Sequence, residues 1–178
     1  MKNPFLFGNS VYLRAPESGD EFVFAQTVNH PAPREFLFYA LPQSVQHYQE
    51  TVKKWMEDHH TIVLAICTAD PDEPIGLSAF FRIDWVSRMA TYYIAIADPK
   101  NWSRGFGKEV TQLMLDYGFN TLNLNRIQLH VSCKNDRAIK VYQQLGFQNE
   151  GTLRQAMYHD KQYIDFLLMS ILRSDRKK

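Results

Sequence analysis

The pattern of apolar and polar positions divides the first half of the chain into strand-like and helix-like segments. Short apolar or β-branched runs predict strands at Val11–Arg14, Thr61–Thr68 and Ile75–Ile83. A turn rich in Pro and Asp joins the last two, which predicts an antiparallel hairpin. After a further turn, the run Tyr92–Ile96 predicts a fourth strand. The first half is therefore expected to build a largely antiparallel sheet.

Two helices are predicted between these first strands. Ser18 and Glu21 have the spacing of a capping box, and Ser44 precedes a run whose apolar residues follow helical spacing. The segment Pro31–Gln43 lies between the two helices and contains three prolines, which predicts an ordered loop rather than a flexible linker. The aromatic residues of this loop are Phe36, Phe38 and Tyr39.

The second half changes to the order strand, helix, strand, helix, which is typical of parallel crossover units. A Gly-containing turn and a helix follow Tyr92–Ile96, and then come a strand at Ile127–Val131 and a helix opened by Asn135. Strands at Thr152–Ala156 and Tyr163–Leu172 complete the pattern. We therefore expect a mixed α/β (α+β) sheet that is antiparallel in its N-terminal part, parallel and splayed at its centre, and flanked by helices.

Composition and charge narrow the function classes. The 178 residues are 45% hydrophobic and 13% aromatic, which predicts a single globular domain with its core over about residues 11–172. No apolar run approaches about 18 residues, so no membrane span is expected. A net charge of +1 gives no footprint for nucleic acid. Cys67 and Cys133 form no disulfide or metal motif, which favours a reduced, cytoplasmic protein, and exposed aromatic residues would favour a homodimer.

Three interpretations compete for the Trp-Ser-Arg-Gly-Phe-Gly-Lys turn at residues 102–108. A dinucleotide fingerprint needs a third Gly where Val110 stands, and a Walker phosphate loop needs Ser or Thr where Glu109 stands. The third interpretation is a shorter pyrophosphate cradle, in which backbone N–H groups at the helix start and the helix dipole point at one anion. The alternative is a purely structural role, in which the glycines only permit a tight turn.

Motifs downstream of this turn favour the pyrophosphate cradle. In order, the motifs are the Arg-Gly-Phe-Gly turn at 104–107, Asn135, Tyr142, Leu145–Phe147, Glu150–Arg154 and Asp160–Asp165. Their order resembles the GNAT family of N-acetyltransferases, and more narrowly its branch of ribosomal-protein N-terminal and polyamine acetyltransferases. The resemblance implies that family's fold and acetyl-CoA as cofactor. Two residues depart from the family pattern, because Trp102 stands where Gln or Arg is usual and Thr91 stands where many members carry a catalytic Glu.

The resemblance also implies which residues hold the cofactor. It places the pyrophosphate on the Gly turn and the pantetheine arm along the main chain near Ile94, where the arm pairs like a strand. It gives Asn135 a contact with the arm, although this residue could also serve only as a helix cap. The implied cofactor-binding residues are Ile94, Ile96, Ala97, Trp102, Ser103, Arg104, Gly105, Phe106, Gly107, Lys108, Asn135 and Ile139.

Acetyl transfer to an amine requires a proton donor for the departing thiolate and a base for the attacking amine. The resemblance places a phenol at Tyr142 as the donor, and the alternative is a core tyrosine on an amphipathic helix. Because Thr91 replaces the family's Glu, the base must be another side chain or a water chain. The candidate bases are Glu35, Asp84, Glu150, His159 and Asp165, and of these we predict that Glu35 and Glu150 are catalytic.

The acceptor side is expected from the Pro31–Gln43 loop and two later turns. Aromatic faces and carboxylates together suit a cationic amine. Together with this acceptor side, the resemblance implies an acetyl-CoA-dependent N-acetyltransferase that acts by direct attack of a primary amine in a ternary complex. A protein N-terminus and a small amine or polyamine are both open as acceptors, and the alternatives are a non-catalytic acyl-CoA-binding or sensing module and a nucleotide-binding domain. The predicted substrate-binding residues are Phe36, Phe38, Trp85 and Tyr158.

Overall fold

The computed structural model describes residues 2–38 and 41–176, and within them the chain forms eight strands in one sheet and five α-helices. The strands are β1 (Leu6–Phe7), β2 (Val11–Arg14), β3 (Ile62–Thr68), β4 (Pro74–Asp84), β5 (Met89–Ile96), β6 (Arg126–Ser132), β7 (Gln148–His159) and β8 (Gln162–Leu172). The helices are α1 (Asp20–Asn29), α2 (Pro31–Arg34), α3 (Val45–Glu57), α4 (Phe106–Asp116) and α5 (Asp136–Gln144). Short 3₁₀ turns lie at Pro99–Asn101 and Arg173–Asp175, and a π-helical turn at Tyr117–Thr121 extends α4.

The sheet has the strand order β1–β2–β3–β4–β5–β6–β8–β7, and its two halves separate in the middle. Strands β1 to β5 pair antiparallel, as do β6, β8 and β7. The parallel pairing of β5 with β6 runs only from Met89↔Arg126 to Thr91↔Gln128. Beyond Thr91 the two strands diverge, which confirms the expected mixed sheet with a parallel, splayed centre.

The helix starts follow the sequence in one case and depart from it in another. Ser44 caps α3 as predicted, because its hydroxyl accepts a hydrogen bond from the backbone N–H of His47 at 3.0 Å. The predicted capping role of Ser18 is wrong. Gly19 is the cap residue of α1, with φ of 104°, and the carboxylate of Glu21 accepts from its N–H at 2.8 Å.

The segment between α1 and α3 is more regular than the predicted loop. Pro31 and Pro33 fall within the short helix α2, where the fixed φ of proline suits a first turn. The ring of His30 accepts a hydrogen bond from the N–H of Ala32 at 3.2 Å and so caps this turn. Tyr39, part of the predicted aromatic cluster, lies outside the described residues.

Helices cover both faces of the sheet. One core cluster joins the sheet to α4 and α5, and the other joins it to α1 and α3. Helix α4 is central to the first of these clusters, because Val110 and Met114 are fully buried. None of the helices in the described part of the chain is long and apolar enough to cross a membrane. The two layers leave the splay between β5 and β6 as the opening into the molecule.

Candidate functional site

A cavity occupies the splay between β5 and β6, and we call it the splay cavity. Its walls come from the separated end of β5, the turn into α4, one face of α5 and the segment around α2. Of the residues predicted to bind a cofactor, the structure brings together Ile94, Ile96, Trp102, Ser103, Gly105, Gly107, Lys108 and Asn135. The sequence interpretation therefore located the cavity, although it missed part of its lining.

The other predicted cofactor residues point elsewhere. Phe106 is buried in the core, and the guanidinium of Arg104 lies over its ring, 4.7 Å from the centroid. Ala97 is buried, and its N–H donates to the carbonyl of Ile75 at 3.0 Å. Ile139 packs against the core beneath α5. None of these four residues lines the splay cavity.

The face of α5 that lines the cavity is carried by Ala138, Val141 and Tyr142. These residues have the i, i+3, i+4 spacing of one helix face, whereas Ile139 lies one residue out of phase. Helical spacing counted back from Tyr142 would have found Ala138. The remaining residues that the sequence interpretation missed are Pro33, Leu37, Ala95, Asn101, Thr111 and Arg137, which carry no local signal.

The turn into α4 has the geometry of an anion cradle. Gly105 precedes the helix with φ of 86°, and the first bond within the helix runs from the N–H of Glu109 to its carbonyl at 3.1 Å. The N–H groups just before Glu109 therefore have no partner within the helix and lie beside the cavity. A Cβ added to Gly107 would meet no protein atom within 4 Å, so the wall is open at this point. This arrangement fits the pyrophosphate of acetyl-CoA.

Trp102 joins three walls of the splay cavity. Its indole N–H donates to the carbonyl of Ile96 at 3.0 Å, at the separated end of β5. The guanidinium of Arg137 lies 4.4 Å from the indole centroid, and the ring of Phe36 lies 6.5 Å away. The residue that departs from the family pattern thus connects β5, α5 and the segment after α2.

Tyr142 lines the splay cavity and is 8% exposed. Burial raises the pKa of its phenol above the ordinary value near 10. The side chain is therefore neutral at every usable pH and can donate its proton in a hydrogen bond. Its ring packs against Phe147 with the centroids 5.5 Å apart, which fixes the ring plane.

Glu150 is placed away from the splay cavity, and the structure argues against its predicted catalytic role. Its carboxylate accepts hydrogen bonds from the guanidinium of Arg126 and, at 2.6 Å, from the hydroxyl of Ser170. These bonds lower the pKa of Glu150 to about 2. Arg126 begins β6 at the paired end, whereas the cavity lies at the splayed end. Glu150 is therefore a structural carboxylate and a poor base.

The other predicted bases also lie apart from the splay cavity. Glu35 is exposed and lines no described cavity, and Asp84 accepts hydrogen bonds from backbone N–H groups of its own turn. Asp165 accepts from the N–H of Gln155 at 2.7 Å. At the family's Glu position, the hydroxyl of Thr91 accepts from the amide of Gln128 at 3.4 Å.

A second cavity, which we call the side cavity, adjoins the first. Its lining includes Phe38 and Tyr158, two of the predicted substrate residues, together with His159. Leu37 lines both cavities, while the predicted substrate residue Phe36 lines the splay cavity. Trp85 lines neither, because it lies in the turn before β5, and its indole N–H donates to the carbonyl of His59 at 3.0 Å. The prediction for Trp85 was wrong because this residue precedes β5, whereas the splay cavity is lined by the opposite end of that strand.

A sequence model of the acetyltransferase (GNAT) domain matches residues 10–148, which is most of the chain. The chain belongs to the GNAT family of acetyltransferases. It is an acetyltransferase that uses acetyl-CoA, and its reaction is acetyl transfer to an amine. Within the described residues, no group of three His, Cys, Asp or Glu side chains is placed to hold a metal ion.

Relatives of this GNAT protein include enzymes of known specificity. The chain is 31% identical over 162 residues to the spermidine N(1)-acetyltransferase of Vibrio cholerae, covering 91% of this chain and 92% of that enzyme. It is 35% identical over 99 residues to the spermidine N(1)-acetyltransferase of Escherichia coli, covering 56% of this chain and 53% of that enzyme. A crystal structure of the Vibrio cholerae enzyme with CoA and spermine superposes with a TM-score of 0.87 and 29% identity, covering 94% of this chain and 98% of that one.

Proposed function

We propose that this enzyme transfers the acetyl group directly to a small primary amine, with acetyl-CoA in the splay cavity and the amine in the side cavity. The observation that carries the proposal is that the two cavities adjoin at Leu37. Two substrates bound on either side of one residue can react within a single ternary complex, without transfer through the enzyme.

The residues of the chain supply what the transfer needs. Acetyl-CoA, when bound, supplies an acetyl thioester as the group to be transferred. The amine, once it has lost a proton, forms the N–C bond while the C–S bond breaks, giving an N-acetyl amine, a thiol and one released proton. We assign Tyr142 as the hydrogen-bond donor to the departing sulfur, because its neutral phenol lines the splay cavity.

We assign His159 as the proton acceptor for the amine. Its imidazole lines the side cavity, and an imidazole nitrogen is a common proton acceptor in enzymes. Glu150 is ion-paired and Glu35 is exposed outside both cavities, so neither of the two carboxylates expected from sequence is as well placed.

The acceptor class is a small amine rather than a protein N-terminus. The relatives that act on spermidine support this proposal, because a family member with the same element order over nearly the whole chain uses a small amine. The test is a panel of small amines, polyamines and N-terminal peptides, with release of the CoA thiol as the readout. We expect turnover with small amines. Tight acetyl-CoA binding without thiol release for any amine would instead support the non-catalytic binding module.

We further propose that the enzyme is one functional domain over residues 1–178, that it works in the cytoplasm and that it self-associates. Cys67 and Cys133 are free thiols, as a reducing compartment would favour. Large apolar side chains such as Phe7 and Phe22 are more than half exposed. A related spermidine N-acetyltransferase from Vibrio cholerae has been seen as a dodecamer. Light scattering of the purified protein would test self-association, and a monomer at micromolar concentration would contradict it.

A further inference from the structure

The charged side chains of the side cavity are unusual for a site that binds a polycation. Asp160 is the carboxylate residue in its described lining, and its side chain is 89% exposed and lies 3.5 Å from the imidazole of His159. Glu35, the acid expected on this side, lines neither cavity. A polyamine carries several positive charges and needs several carboxylates to replace its hydration. The described walls do not supply them.

Arg34 supplies a positive charge in the same cavity. It ends α2, and its carbonyl accepts from the N–H of Leu37 at 3.4 Å, so it is held next to the residue that lines both cavities. Within residues 2–38 and 41–176, the Arg34 guanidinium has no hydrogen-bond or ion-pair partner, whereas Arg14 and Arg126 pair with carboxylates. A half-buried guanidinium that no group in the described residues satisfies is suited to bind a carboxylate of a ligand.

The remaining lining can accommodate the carbon skeleton of such a ligand. Phe38 stacks on Phe166 with the ring centroids 4.1 Å apart, and Tyr158 packs against Tyr163 at 5.1 Å. These ring contacts hold Phe38 and Tyr158 at the cavity wall. The side cavity thus combines a cation, an apolar wall and an imidazole.

We propose that the acceptor is an amine that also carries a carboxylate, and that Arg34 binds this carboxylate. The amine would then lie toward Leu37 and the splay cavity, while the carboxylate lies at Arg34. This inference rests on the proposed function, because it takes the side cavity as the acceptor site. It distinguishes this chain from its relatives that act on spermidine, which lacks a carboxylate.

The test compares amines that differ only in the carboxylate. Cadaverine is paired with lysine, and pentylamine is paired with δ-aminovalerate, and kcat/KM is measured for each with saturating acetyl-CoA. We expect kcat/KM to be about tenfold or more higher for the carboxylated member of each pair, mainly through a lower KM. A difference of this size is what one charge-assisted hydrogen bond supplies. In Arg34→Gln the ratio within each pair should fall to about one, and Arg34→Lys should restore part of it.

A matched control separates the cavity charge from the net charge. Arg88→Gln removes an exposed Arg in the turn between β4 and β5, which lines neither cavity, and should leave both ratios unchanged. A preference for cadaverine and pentylamine in the wild-type enzyme, or a preference for the carboxylated amines that survives in Arg34→Gln, would overturn the inference while leaving amine acetylation intact. Failure of every amine to release thiol would instead overturn the proposed function.

Discussion

Tyr142 shows how burial can prepare a residue for the donor role that we propose for it. The same burial that raises the pKa of its phenol also shields this side chain from bulk water. A phenol that is a weaker acid than the departing thiol stabilises the thiolate as a hydrogen-bond donor, and any phenolate formed regains its proton at once. The residue therefore needs no charge change of its own within the working pH range.

Removal of this hydroxyl tests the assignment. Tyr142→Phe keeps the ring and its packing on Phe147, so the dissociation constant for acetyl-CoA should stay unchanged. We expect kcat to fall by about a hundredfold, as is typical for loss of a general acid. Tyr117→Phe is the control, because Tyr117 packs on Phe5 outside both cavities. A kcat for Tyr142→Phe equal to that of the control would rule the donor role out.

Glu150 gives a prediction about stability rather than activity. The pKa of Glu150 in the folded protein is about 2, below the ordinary value for a glutamate carboxyl. The ion pair with Arg126 therefore stabilises the fold at pH values above that ordinary pKa, and this stabilisation is lost as the pH falls toward 2. Because about a third of the Glu150 side chain is exposed, we expect Glu150→Gln to cost only about 1 kcal/mol at pH 7. Urea unfolding should show this difference shrinking to nothing near pH 2, while kcat stays unchanged. Glu50→Gln, at an exposed position of α3, serves as the control, and a pH-independent difference would contradict the assignment.

Single residues differ in how far their role could be predicted from sequence. Asn135 and Tyr142 stand in motifs whose spacing fixes a helix start and one face, and both line the splay cavity. The partner of Glu150 could not be read from the chain, because Arg126 lies on another strand and their contact depends on how β7, β8 and β6 pair. A carboxylate looks the same in sequence whether it is a base or half of an ion pair.

At the scale of elements, the turn into α4 gives Gly105 and Gly107 different structural roles. Gly105 needs its positive φ of 86°, whereas Gly107 lies inside the helix, and its missing side chain leaves the cavity wall open. The glycine pattern is visible in sequence. Which glycine serves the backbone and which serves the ligand depends on the helix start, which can be placed from sequence only to within a residue or two.

Alanine substitutions at these two glycines should therefore change the free energy of unfolding in opposite directions. Gly107→Ala should raise the free energy of unfolding by about 0.5–1 kcal/mol, because alanine favours a helix, and weaken acetyl-CoA binding by about tenfold. Gly105→Ala should lower the free energy of unfolding by about 1 kcal/mol, because it forces a Cβ into the left-handed region. Thermal unfolding and titration calorimetry measure both. Unchanged acetyl-CoA affinity in Gly107→Ala would show that the pyrophosphate does not approach this turn.

At the scale of the whole molecule, the change in element order predicted the splay, but not its extent. The antiparallel first half follows from short connections between strands, and the crossover through α4 follows from a helix between two strands. The sequence did not reveal that β8 inserts between β6 and β7, or that parallel pairing stops after three residue pairs. These features depend on strand pairings across long separations, which no local pattern encodes. The side cavity depends on them too, because it joins residues near α2 to the end of β7.

The arrangement of the two cavities also predicts a sequential kinetic mechanism, in which both substrates bind before the acetyl group is transferred. A covalent route would need a nucleophile at the cavities, but Cys67 is buried in the core beside α1, and Cys133 lines neither cavity. Burial raises the pKa of both thiols, which further disfavours the reactive thiolate. Initial rates measured over both substrates should therefore give intersecting double-reciprocal lines, and Cys133→Ser should leave kcat unchanged. Parallel lines, together with an acetylated enzyme detected by mass spectrometry in the absence of amine, would show that the acetyl group passes through the protein.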